Sequence, residues 1–243
     1  LWVGVHASSR CRLTPTSDRM IFDGETGLQN HCEPCGMSRT LDLFCVHPID
    51  VQRFAGSGEM HRFLNLRDSD AYGLAEQYDR HIAELIEEGV DEGFDATAIN
   101  CTDAIEDIVV GTVDESNDAD AYAYTVACQV ICNHLGSYMG QWSGIAQASS
   151  WLEAVDQSMA SFQWPLTFLN LTCRLEVASI QIHRGDGSVS CGHWTWDEIR
   201  ESKKQAQAIL ANPPEGEFAE QWHDIAEWVE QVPQDHIIAG FLE

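Results

Sequence analysis

The sequence predicts an α+β fold that is mostly helical with a small antiparallel sheet. Segments with apolar residues at helical spacing outnumber the segments that alternate between apolar and polar residues, as strands do. The few strand-like segments also do not alternate regularly with the helices, which argues against a doubly wound parallel sheet. With 243 residues, of which 44% are hydrophobic, the chain can bury the core of one large domain.

The first predicted elements follow one another closely. Alternating polarity predicts a half-buried strand over residues 41–47. Pro48 suits the first turn of a short helix to about residue 55, which a glycine-rich stretch at residues 56–58 ends. Apolar residues at helical spacing then predict a longer helix over residues 71–88.

Two further helices flank an acidic loop. Helical spacing predicts the first over residues 98–110. The loop, residues 114–120, leads into a long helix predicted over residues 121–139, with Asp120 as its cap.

The second half contains two predicted capping boxes. Ser150 and Glu153 predict the start of a helix that extends to about residue 161. Thr195 and Glu198 predict another helix, which ends before Asn212.

Three other segments complete the second half. Residues 166–183 are predicted to be rich in strands, because apolar residues alternate there before a glycine-containing turn. An apolar stripe predicts a last helix over residues 215–232, and residues 236–242 are predicted to return as a strand.

The chain divides at residue 36 by composition. Residues 1–36 are rich in Ser, Arg, Thr, Gly and Pro and show no sustained periodicity, so we expect a disordered tail or translated upstream sequence. Residues 37–243 are then a single α+β domain. No signal peptide opens the chain, and no apolar run reaches the roughly 18–20 residues that a membrane helix needs. We therefore expect a soluble cytoplasmic protein that does not bind membranes.

The charge is the most unusual property of the sequence. Asp and Glu number 39 against 13 Lys and Arg, which gives a formal net charge of −26. No Lys or Arg occurs between Arg80 and Arg174, a stretch that holds fifteen acidic residues. A field of this sign repels nucleic acid and attracts basic proteins. The alternative is an acidic surface that only keeps the protein in solution.

The favoured functional hypothesis is a protein-binding module, an immunity-like inhibitor of a basic protein being one form of it. The acidic stretch and the lack of a recognised catalytic motif favour binding. We expect no cofactor. The residues predicted to contact the partner are Glu84, Glu87, Glu88, Asp91, Glu92, Asp114, Glu115, Asp118 and Asp120.

A zinc site is a second hypothesis, which depends on residues 1–36 being part of the native protein. Cys32 and Cys35 form a Cys-x-x-Cys turn, and Cys45 and His47 could complete four ligands. The competing interpretation places Cys45 and His47 on the core side of the first strand, beside Leu43.

An enzyme that uses a thiol or a metal is the alternative function. His183, Cys191 and His193 are close in sequence, and an imidazole can activate a thiol or share a metal with it. No motif supplies an orienting third group, so chance proximity competes with this hypothesis. Cys128 and Cys132 are better explained as free thiols on the apolar face of a helix.

Several segments resemble a family of small uncharacterised bacterial proteins, a domain of unknown function. They are residues 123–136 (AYTVACQVICNHLG), residues 150–156 (SWLEAVD), the pair Gly192-His193, and residues 238–242 (IAGFL). The resemblance covers roughly residue 37 to the end of the sequence. The outline of the family is, more distantly, similar to YfbM-like and immunity-type folds. It implies no activity and no catalytic residues.

Overall fold

A four-stranded antiparallel sheet lies at the centre of the computed structural model, which describes residues 39–89, 98–113, 117–145, 148–161, 163–182 and 190–242. The strands of the described residues are β1 (Arg39–Val46), β2 (Ser137–Ile145), β3 (Glu176–Val177), β4 (Ile180–Gln181), β5 (Ser190–Trp194) and β6 (Ile237–Leu242). The sheet has the order β2-β1-β6-β5, and β3 and β4 form a separate small hairpin.

Helices make up most of the described structure. They are α1 (Pro48–Phe54), α2 (Met60–Arg67), α3 (Tyr72–Glu88), α4 (Cys101–Val110), α5 (Ala121–Leu135), α6 (Ala148–Ser161), α7 (Phe168–Thr172), α8 (Trp196–Ala211) and α9 (Ala219–Gln231). The predicted α+β class, mostly helical with a small antiparallel sheet, is confirmed. Among the described residues, none of these helices combines the length and the apolar character that crossing a membrane requires.

The sheet separates two hydrophobic cores. On one face, Phe44 of β1 and Phe241 of β6 pack with helices α1 to α5. On the other face, Leu43 of β1 and Ile238 of β6 pack with helices α6 to α9. Because successive side chains of a strand point to opposite faces, each central strand contributes to both cores. The domain is therefore a three-layer arrangement of helices, sheet and helices.

Burial of β1 on both faces differs from the half-buried strand that the sequence predicts. Residues 43–46 are all buried, although polar Thr40 and Asp42 earlier in the strand keep the predicted alternation. The reason is the position of β1 inside the sheet, with helices over both faces. The predicted helices over residues 71–88 and 98–110 are confirmed, whereas α2 was not predicted.

The long helix predicted to residue 139 is wrong at its C-terminal end. Helix α5 ends at Leu135, and the chain turns at Gly136 into strand β2. A Cβ atom at Gly136 would lie 2.4 Å from the carbonyl oxygen of Cys45, so only glycine fits this close approach to β1. Tertiary packing therefore decides where the helix stops.

The segment predicted to be rich in strands is also largely different. Residues 168–172 form helix α7, and only four residues of the segment belong to the hairpin of β3 and β4. Leu175, which the prediction placed in a strand, has a left-handed backbone with φ of +53°. Alternation over a short apolar segment does not distinguish a strand from a buried helical turn.

One of the two predicted capping boxes is confirmed. The Thr195 hydroxyl accepts a hydrogen bond from the Glu198 amide, and the Glu198 carboxylate accepts one from the Thr195 amide. The box predicted at Ser150 is wrong, because α6 begins at Ala148 and Ser150 lies within the helix.

Two glycines allow helix α7 to lie directly on the sheet. A Cβ atom at Gly192 of β5 would be 2.1 Å from the carbonyl oxygen of Asn170, and one at Gly240 of β6 would be 3.0 Å from the Cβ atom of Leu171. Leu171 is completely buried at this contact. The backbones of α7 and the sheet therefore approach to a distance that no larger residue permits.

Strand β2 forms one edge of the sheet and is irregular. It pairs with β1 through register shifts between Arg39 and Thr40 and between Leu43 and Phe44. Gly140 of β2 has φ of +152°, and a Cβ atom there would lie 3.3 Å from the indole nitrogen of Trp228. The edge strand is thus bent against helix α9.

The close contact between Gly192 and Asn170 predicts that adding one methyl group at Gly192 lowers the stability of the protein strongly. Gly192→Ala should lower the free energy of unfolding by about 2 kcal/mol or more, because the backbone of α7 would have to move away from the sheet. Chemical denaturation measures the change. Gly73→Ala is the matched control, since nothing lies within 4 Å of its Cβ position in α3, and it should be neutral or stabilise by up to about 1 kcal/mol. Equal effects of the two substitutions would contradict the predicted close approach.

Candidate functional site

Three of the predicted partner-binding residues lie together on the last turns of helix α3. Glu84, Glu87 and Glu88 are all exposed to solvent. We call these three residues the acidic end of α3. Ile86, between them in sequence, is 40% exposed but lies on a different face of the helix, because residues one and two apart do not face each other.

The acidic end lies where a helix least favours negative charge. The backbone dipoles of a helix place partial negative charge at its C-terminus, and cationic side chains are the stabilising ones there. The last turn of α3 contains no basic residue, and the helix ends at Gly89 in a left-handed conformation with φ of +71°. Glu87 and Glu88, in that last turn, therefore contribute unfavourable electrostatic energy to the folded protein.

No ion pair neutralises the acidic end within the described part of the chain. The pairs between arginine and carboxylate found there are Arg53 with Asp50, Arg62 with Glu59, Arg174 with Glu198, and Arg200 with Asp197. Arg80 lies four residues before Glu84 on the same helix but forms no ion pair with it among the described residues, and residues 81–173 contain no Lys or Arg.

Helix α4 adds carboxylates beside α3, and Asp79 joins the two helices. Asp103 and Glu106 are exposed on α4. The Asp79 carboxylate of α3 accepts hydrogen bonds from the Cys101 amide at 2.6 Å and from the Thr102 amide at 3.1 Å. It also accepts one from the Thr102 hydroxyl at 2.8 Å. Asp79 thus caps the start of α4 from another helix.

The remaining predicted partner-binding residues fall into two groups. Asp91, Glu92, Asp114 and Glu115 lie outside the described residues, as does the side chain of Asp118. Asp120 is only 3% exposed, and its carboxylate accepts a hydrogen bond from the Ile99 amide at 2.9 Å. It therefore holds the chain that leads into α4 and makes no side-chain cap for α5, contrary to the predicted capping role.

The residues of the zinc hypothesis that the structure describes have other roles. Cys45 is buried in the same core as Leu43, and burial raises the pKa of its thiol to about 11. The Nδ1 atom of His47 accepts a hydrogen bond from the Ile49 amide and so caps α1, while its ring contacts that of His236 at 5.0 Å. Cys32 and Cys35 lie outside the described residues.

The thiol of the enzyme hypothesis is buried and protonated. Cys191 is inaccessible to solvent, and burial, reinforced by the neighbouring thiols Cys132 and Cys173, raises its pKa to about 12 against a weaker opposing hydrogen bond with Thr125. A nucleophilic cysteine needs the opposite shift, because the thiolate is the reactive form. The Nδ1 atom of His193 lies 2.8 Å from the carbonyl oxygen of Glu176, and His183 lies outside the described residues.

Cys128 and Cys132 lie in the core, as the sequence predicts. Both are inaccessible to solvent and are free thiols. A hydrogen bond with Cys132, together with burial, raises the pKa of Cys128 well above its usual value. These two thiols and Cys191 lie close to one another in the core.

The contact of Asp156 with helix α7 was not predicted, although it resembles that of Asp79, whereas the hydrogen bonds of Glu198 with Thr195 belong to the predicted capping box. Asp156 of α6 accepts hydrogen bonds from the first amides of α7, those of Phe168 and Leu169. Burial nevertheless raises the pKa of Asp156. Burial also acts to raise the pKa of Glu198, but hydrogen bonds from Thr195 and the ion pair with Arg174 outweigh it and leave that pKa lowered. The sequence gives only a weak signal for such contacts. It shows an acidic residue on one helix but does not show which other helix starts beside it.

Comparison with known proteins identifies one similarity. A family model described as a domain of unknown function, DUF7691, matches residues 37–241. No curated protein and no solved structure matches the chain. The more distant resemblance to YfbM-like and immunity-type folds, and a cytoplasmic location, stay predictions.

The cap that Asp79 provides predicts a loss of stability when it is removed. Asp79→Ala should lower the free energy of unfolding by about 1–2 kcal/mol, because two amides at the start of α4 lose their acceptor. Chemical denaturation measures this change. Glu76→Gln, on the exposed side of the same helix, is the matched control and should have an effect below about 0.5 kcal/mol. The cap would be disproved if the two variants were equally stable.

Burial of the thiol cluster predicts unequal rates of alkylation. In the native protein, Cys173, which is exposed, should react with iodoacetamide, whereas Cys128 and Cys191 should stay unmodified. A change from about pH 7 to about pH 9 should leave the rate at Cys191 low, because its thiol stays protonated. Mass spectrometry of the peptides gives the rates, and denatured protein, in which all three should react, is the control. Rapid native modification of Cys191 would revive the thiol-enzyme hypothesis.

Proposed function

The chain belongs to the DUF7691 family of domains of unknown function, and we propose that it is a protein-binding module whose partner is a basic protein. The proposed contact surface is the acidic end of α3. The observation that supports this proposal most directly is the position of three exposed glutamates, without an ion pair among the described residues, near the C-terminal end of a helix.

The placement of charge at the acidic end of α3 conflicts with the stability of the free protein. Glutamates at the negative end of a helix are electrostatically unfavourable for the isolated protein. Solubility requires negative surface charge, but that charge can lie anywhere on the surface. A cationic partner turns the same three charges into favourable interactions, so binding accounts for their position as well as their sign.

The chemistry of the surface also defines the partner. Glu84 lies three and four residues before Glu87 and Glu88, so the carboxylates share one face of the helix. The complementary surface is therefore one that presents Lys or Arg side chains. Long-range attraction by the net charge of −26 would raise the association rate, and salt would lower it.

The binding proposal predicts opposite effects of one variant on stability and on binding. Replacing Glu84, Glu87 and Glu88 together by Lys should raise the thermal midpoint of the free protein, because cations favour the C-terminal end of a helix. The same variant should weaken partner binding by about tenfold or more, since each exposed charge pair is worth about 0.2–1 kcal/mol and reversal adds repulsion. Glu201→Lys is the control for reversal of a surface charge at a different site. It lies at an exposed position of α8, on the other side of the sheet.

The measurement is capture of cellular proteins on the immobilised chain at low salt, about 0.05 M, and at high salt, about 0.5 M. We expect the wild type and Glu201→Lys to retain a basic protein at low salt and to release it at high salt, and the triple variant to retain little. Circular dichroism of the three proteins gives the thermal midpoints. A partner that the triple variant retains, or the absence of any basic partner, would refute the proposal and leave solubility as the role of the acidic surface.

A further inference from the structure

Helix α9 brings together three side chains of types that can bind a metal ion. His223, Asp224 and Glu227 each offer one ligand atom, and these atoms all lie within 4.8 Å of one another. The Nδ1 atom of His223 is 3.9 Å from a carboxylate oxygen of Glu227. Residues four apart on a helix are neighbours on one face, so the helix itself holds these two side chains together.

A hydrogen bond from the sheet positions the third side chain. The indole nitrogen of Trp142 in β2 donates to the Oδ2 atom of Asp224 at 2.9 Å. The ring of Trp142 is itself held in place, with centroids 4.9 Å from both Phe168 and Trp228. Carboxylates that bind metals are typically oriented by such hydrogen bonds. The other oxygen of Asp224 is left for a ligand.

The segment of sequence around this group contains no Lys or Arg, and the cation that contacts the end of α9, Lys203 of α8, donates to the Val232 carbonyl. Residues 205–243 contain eight acidic residues and no Lys or Arg. A contrasting pair lies at the start of α2, where His61 is 3.7 Å from Glu59, but Arg62 already neutralises that carboxylate. The group on α9 thus combines an imidazole with two carboxylates that lack a cationic partner within their own segment.

We propose that His223, Asp224 and Glu227 bind one divalent transition-metal ion of the zinc type. An imidazole nitrogen favours zinc, nickel or cobalt over magnesium and calcium, which prefer oxygen ligands alone. Ligand atoms at about 2.0–2.2 Å from a tetrahedral ion are roughly 3–4 Å apart, so small side-chain rotations close the site. Three protein ligands leave the fourth position for water or for an exogenous ligand. The signal in the sequence is His-x-x-x-Glu with an adjacent Asp, within the helix predicted over residues 215–232.

The test is titration of the full chain with zinc by isothermal calorimetry. Accessible thiols are first alkylated under native conditions, so that thiolates do not compete for the metal. We expect the wild type to bind about one zinc ion, and His223→Ala and Glu227→Gln each to bind more than about tenfold more weakly. His61→Ala is the matched control and should bind like the wild type. Both ligand positions are partly exposed, so the variants should fold, which their circular dichroism spectra will verify.

Two further results would overturn the proposal. Zinc binding that His223→Ala and Glu227→Gln leave unchanged would place the ion elsewhere on the acidic surface. Displacement of zinc by a large excess of magnesium or calcium would show attraction by negative charge alone, without recognition by the imidazole. The proposal requires that zinc remain bound under that competition. Zinc must also raise the thermal midpoint of the wild type and of His61→Ala, but not that of His223→Ala or Glu227→Gln.

Discussion

The scarcity of cationic side chains determines how carboxylates are stabilised inside this fold. Asp79 and Asp156 accept hydrogen bonds from the first amides of α4 and α7, and Asp120 accepts one from Ile99. The start of a helix has unpaired N–H groups and partial positive charge, so it serves a carboxylate as an arginine would. Each such contact also fixes one helix against another across a loop. The fold thereby obtains long-range connections from residues that its composition supplies in excess.

The exposed carboxylates follow a different rule. Those at the acidic end of α3 lie at the negative end of their helix, and those on α9 lie beside a histidine. Arg80 is the one Lys or Arg of α3, residues 205–243 contain none, and solvent reaches both groups. Glutamates at the C-terminal end of a helix cost the isolated chain some electrostatic energy. Surface acids that oppose stability are therefore the places at which an external positive charge has the most to contribute.

The sequence predicted the parts of this structure that depend on local patterns. The stripe of α3, the capping box of Thr195 and Glu198 and the last helix are visible because their causes lie within a few residues. The C-terminal end of α5 was missed because Gly136 matters only through its approach to β1. The role of Asp79 was missed because its partners follow 22 and 23 residues later. For the same reason, composition indicated the acidic surface, while the exposure of each carboxylate depended on the packing of the helices.

The irregular edge strand β2 has a consequence for the protein in a crowded cell. A regular edge would offer evenly spaced backbone donors and acceptors to any extended chain, and such edges promote aggregation. Here, two register shifts in the pairing with β1, and the bend at Gly140 against Trp228, disturb that spacing. This side of the sheet is therefore a poor template for the addition of another strand.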